Sequence, residues 1–339
     1  MTDSMKAVLV TEPGGPENLT LGPFPKPSPA PDELLVRVAA TALNRADILQ
    51  RQGKYPPPPG TSELLGLEIA GTVAECGENC VGFAKGDRVF GLLGGGGYAE
   101  YAVINHRHAM PIPESMSMEE AAAVPEAFLT AYQALFWLGD LYEGATVLVH
   151  AGASGVGTTA IQLAREAEAR VIVTASAAKH VDCIALGATH AIDYKNESFP
   201  DVVREITGGK GVDIIIDFIG APYFKGNVDS LAMDGRIVIL ATMGGTIVPE
   251  FNIRDLFRRR GQVITSALRN RSIDYKARLT AAFATFALPR LEDGRLRPII
   301  DRVFDWADVA EAHQRMESNL NVGKIVLRIG GPGGAVPEG

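Results

Sequence analysis

"VLVHAGASGVG", residues 147–157, carries the reading of the fold. An apolar, β-branched run enters a glycine-rich turn, and the helix-period stretch "TTAIQLAREAEA" follows at 158–169. A strand that feeds such a turn and then a helix directs backbone N–H groups and the positive helix end at an anion. Gly152 permits the tight turn, Gly155 falls in the first helical turn, and Gly157 lets helix and sheet approach closely. Ser154 stands where the G-x-G-x-x-G fingerprint has its middle glycine, so the match alone is weak. Its place between a strong strand and a helix makes Gly152, Ala153, Ser154, Gly155, Val156 and Gly157 the expected cradle of a dinucleotide.

The alternation continues downstream. Apolar runs stand at 146–150, 170–174, 190–192, 212–219, 236–241 and 262–266, with helix-period stretches such as "HVDCIALGA" between them. Runs as continuous as "VDIIIDFIG" suit strands buried on both faces of a parallel sheet. The prediction is an α/β, doubly wound (Rossmann) fold with a six-stranded parallel sheet in the order 3-2-1-4-5-6, spanning residues 126–269. The first 125 residues are different: short β-type runs closely punctuated by Gly and Pro, a partly closed β domain. A helical segment near 272–293 and a tail "RVFDWADVAEAHQRMESNLNVGKIVLRI" follow, whose last strand, 324–329, is expected to return to that β domain. Residues 1–125 and 270–330 would therefore form one domain, and "GPGGAVPEG" a flexible tail at 331–339.

An NAD-selective site places Asp or Glu about 20 residues after the glycines, on the ribose 2′-hydroxyl. At that place the chain reads "VTASAAKH", with Ser176 and Lys179 and no acid. A hydroxyl and an ammonium attract a 2′-phosphate that a carboxylate would repel, so the expected cofactor is NADPH. Ligands of open α/β sheets lie beyond the carboxyl ends of the strands. That rule adds Tyr194 after the third strand, Ala241, Met243, Gly244 and Gly245 after the fifth, and Ser266 and Leu268 after the sixth. Thr130, at the start of the cofactor domain, is the expected contact on the nicotinamide side.

Composition narrows the class. The 339 residues are 46% hydrophobic and 21% charged, with a formal net charge of −8. That balance argues against nucleic acid as a partner, and the run Arg258–Arg260 reads as a helix C-terminus. No apolar run approaches the ~18 residues of a membrane span, and "MTDSMKAVLV" already looks like a first strand, so a cytoplasmic protein with no membrane partner is expected. Three cysteines make no disulfide framework, and Cys76 and Cys80 read as small buried thiols.

Taken together, "AATALNRADILQRQGKYPPPPG" (39–60), "LLGLEIAGTVAECG" (64–77), "HAGASGVGTTAIQLA" (150–164) and "NVGKIVL" (321–327) resemble the medium-chain dehydrogenase/reductase superfamily. The resemblance covers nearly the whole chain. It points to the zinc-free quinone oxidoreductase branch and, within it, to the mammalian stress-inducible group. It implies a GroES-like, partly closed β-barrel for the N-terminal domain. Where zinc-dependent members carry a Cys and a His, this chain has Asn44 and Leu67, and "LLGGGGYAEY" (92–101) lacks the thiols of a structural zinc lobe, so no metal is expected. Without a Lewis acid the acceptor must delocalise the incoming electrons itself, as ortho- and para-quinones and other conjugated electrophiles do. An NADPH-dependent quinone reductase is the expected enzyme, with an enone or enoyl reductase as the alternative; an NADPH-binding protein with little turnover also stays open. By the resemblance, Tyr55 is the tyrosine at the rim of the cleft and Asn44 points into it. Ser154 faces the cofactor, Asn321 and Lys324 belong to the terminal cofactor-side segment, and the chain forms a homodimer. Without the resemblance Lys324 reads as a surface lysine, and His150 as a core histidine with its partners satisfied.

Overall fold

The computed structural model describes residues 3–330, so the tail expected at 331–339 lies outside the described residues. The chain forms two compact units, one of the residues up to Leu129 together with those from Arg269, the other Thr130–Leu268. In the first, β1 (Ser4–Val10) and β2 (Leu19–Pro25) pair antiparallel. Then follow β3 (Glu33–Ala42), helix α1 (Arg45–Arg51), β4 (Glu68–Cys76), β5 (Arg88–Leu92), β6 (Tyr101–Asn105) and β7 (Ala109–Pro111). Helix α2 (Met118–Ala122) starts at a capping box in which Ser117 Oγ accepts from the Glu120 amide and the Glu120 carboxylate accepts from the Ser117 amide. Helix α3 (Pro125–Tyr132) contains the first crossing between units.

The second unit holds β8 (Thr146–Val149), α4 (Gly155–Glu166), β9 (Arg170–Ala175), α5 (His180–Ala185), β10 (His190–Asp193), α6 (Phe199–Ile206), β11 (Val212–Asp217), α7 (Ala221–Ser230), β12 (Leu231–Ile239), α8 (Ile253–Arg258) and β13 (Gln262–Thr265). These six strands form one parallel sheet in the order β10-β9-β8-β11-β12-β13, the 3-2-1-4-5-6 order that the alternating pattern predicts. Val147, Leu148 and Val149 are fully buried, as are Ile215 and Ile216, because helices cover both faces of the sheet. The order reverses at β8, so the crevice of the fold lies beyond Val149.

The chain returns to the first unit through α9 (Ile273–Glu292), β14 (Ile300–Asp305), α10 (Val309–Glu317) and β15 (Lys324–Arg328). β15 joins the seven-stranded sheet antiparallel to β3, Val326 opposite Ala42, as expected of the last strand. Its core gathers residues as distant as Val8, Ile69, Tyr98, Trp306 and Leu327. Cys76 and Cys80 are only part-buried, each thiol directed at a backbone carbonyl of the neighbouring turn or strand. Among the described residues no helix is long and apolar enough to cross a membrane.

Candidate functional site

In the second unit Ser154 is the N-cap of α4, and its Oγ accepts from the Gly157 amide at 3.0 Å. The hydroxyl at the fingerprint's middle position thus closes the first turn of the helix, and it donates to no group among the described residues. The amides of Gly155 and Val156, too early for intrahelical bonds, donate to no described residue. The tight turn differs from the expectation at one position. Its positive φ, 50°, belongs to Ala151, whereas Gly152 is required because a Cβ there would meet Val173 at 2.6 Å. Gly157 makes the close approach, but against the turn rather than the sheet: a Cβ would stand 2.3 Å from the Ala151 carbonyl oxygen. Ala153 is buried beside them.

A buried polar chain supports the floor of this loop. Thr174 Oγ1 lies 3.0 Å from His150 Nδ1, His150 Nε2 lies 2.7 Å from Asn227 Oδ1, and Asn227 Nδ2 donates to Asp217 at 3.0 Å. Asp217 accepts in turn from the Ile219 and Gly220 amides. Burial pushes His150 down to about 4, so the ring is neutral, a satisfied core histidine.

Because Asp193 pairs with Ala175 across β10 and β9, the next residues, Tyr194 and Ser176, leave neighbouring strands at the same end. Lys179 closes the short turn that starts at Ser176. The segment after β12 is less open than its glycines suggest. The amides of Met243, Gly244 and Gly245 donate to Phe218, Ile219 and Thr242 carbonyls, so this stretch presents no free N–H from those three residues. It follows Ala241 and places the Met243 side chain in solvent, 56% exposed. Ser266 Oγ donates to Gln133 Oε1 at 3.0 Å, and Leu268 is buried. Thr130 has a buried hydroxyl with no partner.

The first unit builds a charged cluster that sequence reasoning did not find. Lys324, 4% exposed, donates to Glu68 Oε1 at 2.7 Å, to Asn44 Oδ1 at 2.6 Å and to the Leu43 carbonyl at 2.9 Å. It is therefore the reverse of a surface lysine: its three donors are engaged inside the domain. Asn44 Nδ2 donates to Glu68 Oε1 at 2.8 Å, and Glu68 Oε2 accepts from the Glu126 amide. The Asn44 amide, expected to reach a ligand, is bonded at both its oxygen and its nitrogen within this cluster. Asp47 accepts from the Asn44 and Gly66 amides, and burial still raises its carboxyl to about 6. Burial beside Glu68 raises Glu126 to about 7. Leu67 is buried and offers no donor. Asn321 bonds to the Gly323 carbonyl in the turn that leads into β15.

Tyr55 follows α1, half-buried, and its ring lies 5.2 Å beneath the guanidinium of Arg269. Arg269 is 5% exposed, donates to the Gly94 carbonyl and to Gln50 Oε1, and keeps one buried Nη1 with no partner. Sequence reasoning stopped one residue short of it, at Leu268. Nothing in "RNR" (269–271) marks its first arginine as buried, because its partners Gly94, Gln50 and Tyr55 lie far along the chain.

Comparison with known proteins then places the chain. Its residues 30–114 match the alcohol dehydrogenase GroES-like domain, and 155–285 match the zinc-binding dehydrogenase family. The human synaptic vesicle membrane protein VAT-1 homolog is 35% identical over 95% of this chain and 86% of its own length. Human quinone oxidoreductase is 30% identical over 95% of this chain and 97% of its own. The chain belongs to the medium-chain dehydrogenase/reductase superfamily. It is an oxidoreductase of that superfamily and takes its GroES-like and Rossmann architecture. Among solved structures, an NAD-dependent alcohol dehydrogenase superposes with a TM-score of 0.84 at 34% identity, covering 96% of this chain and 100% of that one. A mycobacterial protein complexed with NADPH gives 0.84 at 30%, over 96% and 99%. An enoyl reductase gives 0.86 at 26%, over 97% and 100%.

A nicotinamide dinucleotide of this superfamily fits the second unit. The Gly155 and Val156 amides, which have no partner among the described residues, and the Ser154 hydroxyl stand at the helix start, where a dinucleotide phosphate would bind, and the buried Thr130 hydroxyl has no partner among the described residues.

Proposed function

We propose that this member of the superfamily is an NADPH-dependent quinone reductase that acts on ortho- or para-quinones and holds no metal. The observation that carries the reading is Arg269, a buried guanidinium with one unpaired N–H above Tyr55. A quinone accepting hydride gathers negative charge on its oxygens, and a fixed guanidinium donor in a water-poor pocket stabilises that charge. When bound, NADPH supplies the hydride. The Tyr55 hydroxyl, which burial keeps protonated, bonds to the acceptor oxygen or the cofactor ribose. Solvent supplies the second proton of the hydroquinone.

The donor set does not fit zinc. Leu67 cannot ligate, and Glu68 is occupied by Lys324, Asn44 and the Glu126 amide. Among the described residues no group of three or more His, Cys, Asp or Glu could hold a metal ion. NADPH rather than NADH is supported by Ser176, Lys179 and Tyr194 at neighbouring strand ends with no acid in "VTASAAKH". Ala241, Met243, Gly244, Gly245, Ser266 and Leu268 would wall the nicotinamide end, largely through side chains and carbonyls. Asn44 and Lys324 act as a support whose amide and ammonium orient one another, and Asn321 fixes the turn that leads into β15. A homodimer through the β13 edge is supported by Phe257, 80% exposed, and Val263 on that side of the sheet. Reduction of a conjugated C=C bond is the second reading, favoured by the likeness to an enoyl reductase.

The test follows NADPH absorbance with quinones, an enone and an enoyl-CoA, chelator present, and repeats with NADH. Quinone-dependent oxidation that prefers NADPH and collapses in Arg269→Gln is the expected result. Oxidation by the enoyl-CoA alone moves the chain to double-bond reduction. Tight NADPH binding with no oxidation leaves only a binding protein.

A further inference from the structure

Among the described residues three buried side-chain polar atoms lack a hydrogen-bond partner: Thr130 Oγ1, Arg269 Nη1 and Ser230 Oγ. Two of these positions carry the function proposed above. Ser230 does not. It ends α7, directly ahead of β12, and is 2% exposed. It lines a cavity of about 470 Å³ with Arg204, Gly211, Asp229 and Arg259. Gly211 directly precedes β11 and Ser230 directly precedes β12, so this part of the wall stands at the amino ends of the strands, and Ser198 and Pro200 at the start of α6 complete it. The glycine loop, Ser176, Tyr194 and the 241–245 segment all lie at the carboxyl ends. None of those residues lines the cavity, and its size is that of a small-molecule site, roughly 300–1,000 Å³.

Charge pairing around it leaves one residue over. Asp201, which also lines the cavity, pairs with Arg204, and Asp229 accepts from Lys225 at 2.6 Å. In the arginine run, Arg258 faces Asp255 at 3.9 Å and Arg260 donates to Asp234 at 2.7 Å. Arg259 has no carboxylate partner among the described residues. Its one bond among the described residues, from Nη2 to the Asp229 carbonyl at 3.1 Å, offsets the negative end of α7 and leaves Nε and Nη1 without an acceptor there. A buried hydroxyl and a half-buried, uncompensated guanidinium thus share one cavity. An unpaired hydroxyl in such a place calls for an acceptor, and so does the guanidinium.

We propose that this cavity is a second binding site, for the oxyanion group of a small metabolite, phosphate or carboxylate. Arg259 donates to the anion through its free nitrogens, and the Ser230 hydroxyl donates from within. The site needs no part of the hydride-transfer machinery.

The experiment titrates inorganic phosphate, and in parallel succinate, into the full chain by calorimetry at fixed ionic strength, with and without saturating NADPH. At least one of the two is expected to bind whether or not NADPH is present. Arg259→Gln should weaken that binding about tenfold and Ser230→Ala roughly threefold, as charged and neutral hydrogen bonds respectively require. Arg259→Lys, which keeps the charge, should bind within a few-fold of the parent, and thermal melts confirm that each variant is folded. Phosphate alone, succinate alone, or both identify the oxyanion class and all support the site. Binding that NADPH abolishes belongs to the glycine loop and overturns it. So does binding unchanged in both variants, or no binding, which would mean that Ser230 holds a water only.

Discussion

The glycine loop, part-buried, and the Lys324 cluster, almost wholly buried, are both polar, but they are assembled in opposite ways. The loop draws its cap, its free amides and its close approach from seven consecutive residues, Ala151–Gly157. The cluster draws on positions 44, 47, 68, 126 and 324, brought together by β3, β4 and β15 of one sheet. Local polar structure is written in spacing. Long-range polar structure is written only in the tertiary fold.

The cluster should therefore fail as a unit when one member is removed. Lys324→Met leaves Glu68, fully buried, without its cation. Breaking one side of a buried pair is expected to cost about 3–5 kcal/mol of stability, measured by urea unfolding. The double variant Lys324→Met/Glu68→Gln should lose less than the sum of the two single changes. A single-variant loss below ~1 kcal/mol would mean that the cluster is loosely held and the comparison breaks.

The second prediction sharpens the contrast inside the legible stretch itself. His150 belongs to "VLVHAGASGVG", but its partners Thr174 and Asn227 lie far along the chain. Held near 4 in the fold, and near 6.5 when unfolded, it takes up a proton on unfolding. Its neutral burial is without penalty above about pH 6.5, and stability is lost progressively as pH falls from there to about 4. The full loss is roughly 3 kcal/mol, at about 1.4 kcal/mol per pH unit. Asp217, two links along the same network and raised by burial, opposes this trend, so the informative quantity is a difference. The fall in unfolding free energy between pH 7 and 5 should be smaller in His150→Asn than in the parent. Equal slopes in both proteins would show that the ring is not held neutral.

The alternation of apolar runs and helical stretches was enough for the six-strand order, because six strands separated by helices suit a doubly wound sheet, although the edge strand β13 is largely exposed. Lys324 was opaque because a lysine at the start of a strand ordinarily reaches water, and nothing near 324 announces Glu68. Asn44 was half-legible. The resemblance points it into the cleft, but nothing in the sequence says that Lys324 and Glu68 would hold its amide. Arg269 was missed because a burial that leaves one N–H unpaired depends on Gly94, Gln50 and Tyr55, none of them nearby in sequence. The N-cap role of Ser154 was within reach, because a serine directly before a helical run is a standard start signal.

Ser154 gives the smallest effect and the cleanest separation of local roles. As a cap it accepts from Gly157, so Ser154→Ala should cost about 1 kcal/mol of stability, and Ser154→Gly only a few tenths. As a phosphate contact it donates outward, and both changes remove that donor equally. NADPH affinity should thus fall by a similar factor in Ala and Gly variants although their stabilities differ. Ser154→Asp separates the roles further: aspartate caps as well as serine, so the melting temperature should hold. Its carboxylate would stand beside the helix start where the dinucleotide phosphate is proposed to bind, and NADPH affinity should drop more than in either neutral variant. If Ser154→Asp binds NADPH like the parent, the hydroxyl is a cap alone, and the loop is local structure whose ligand lies elsewhere.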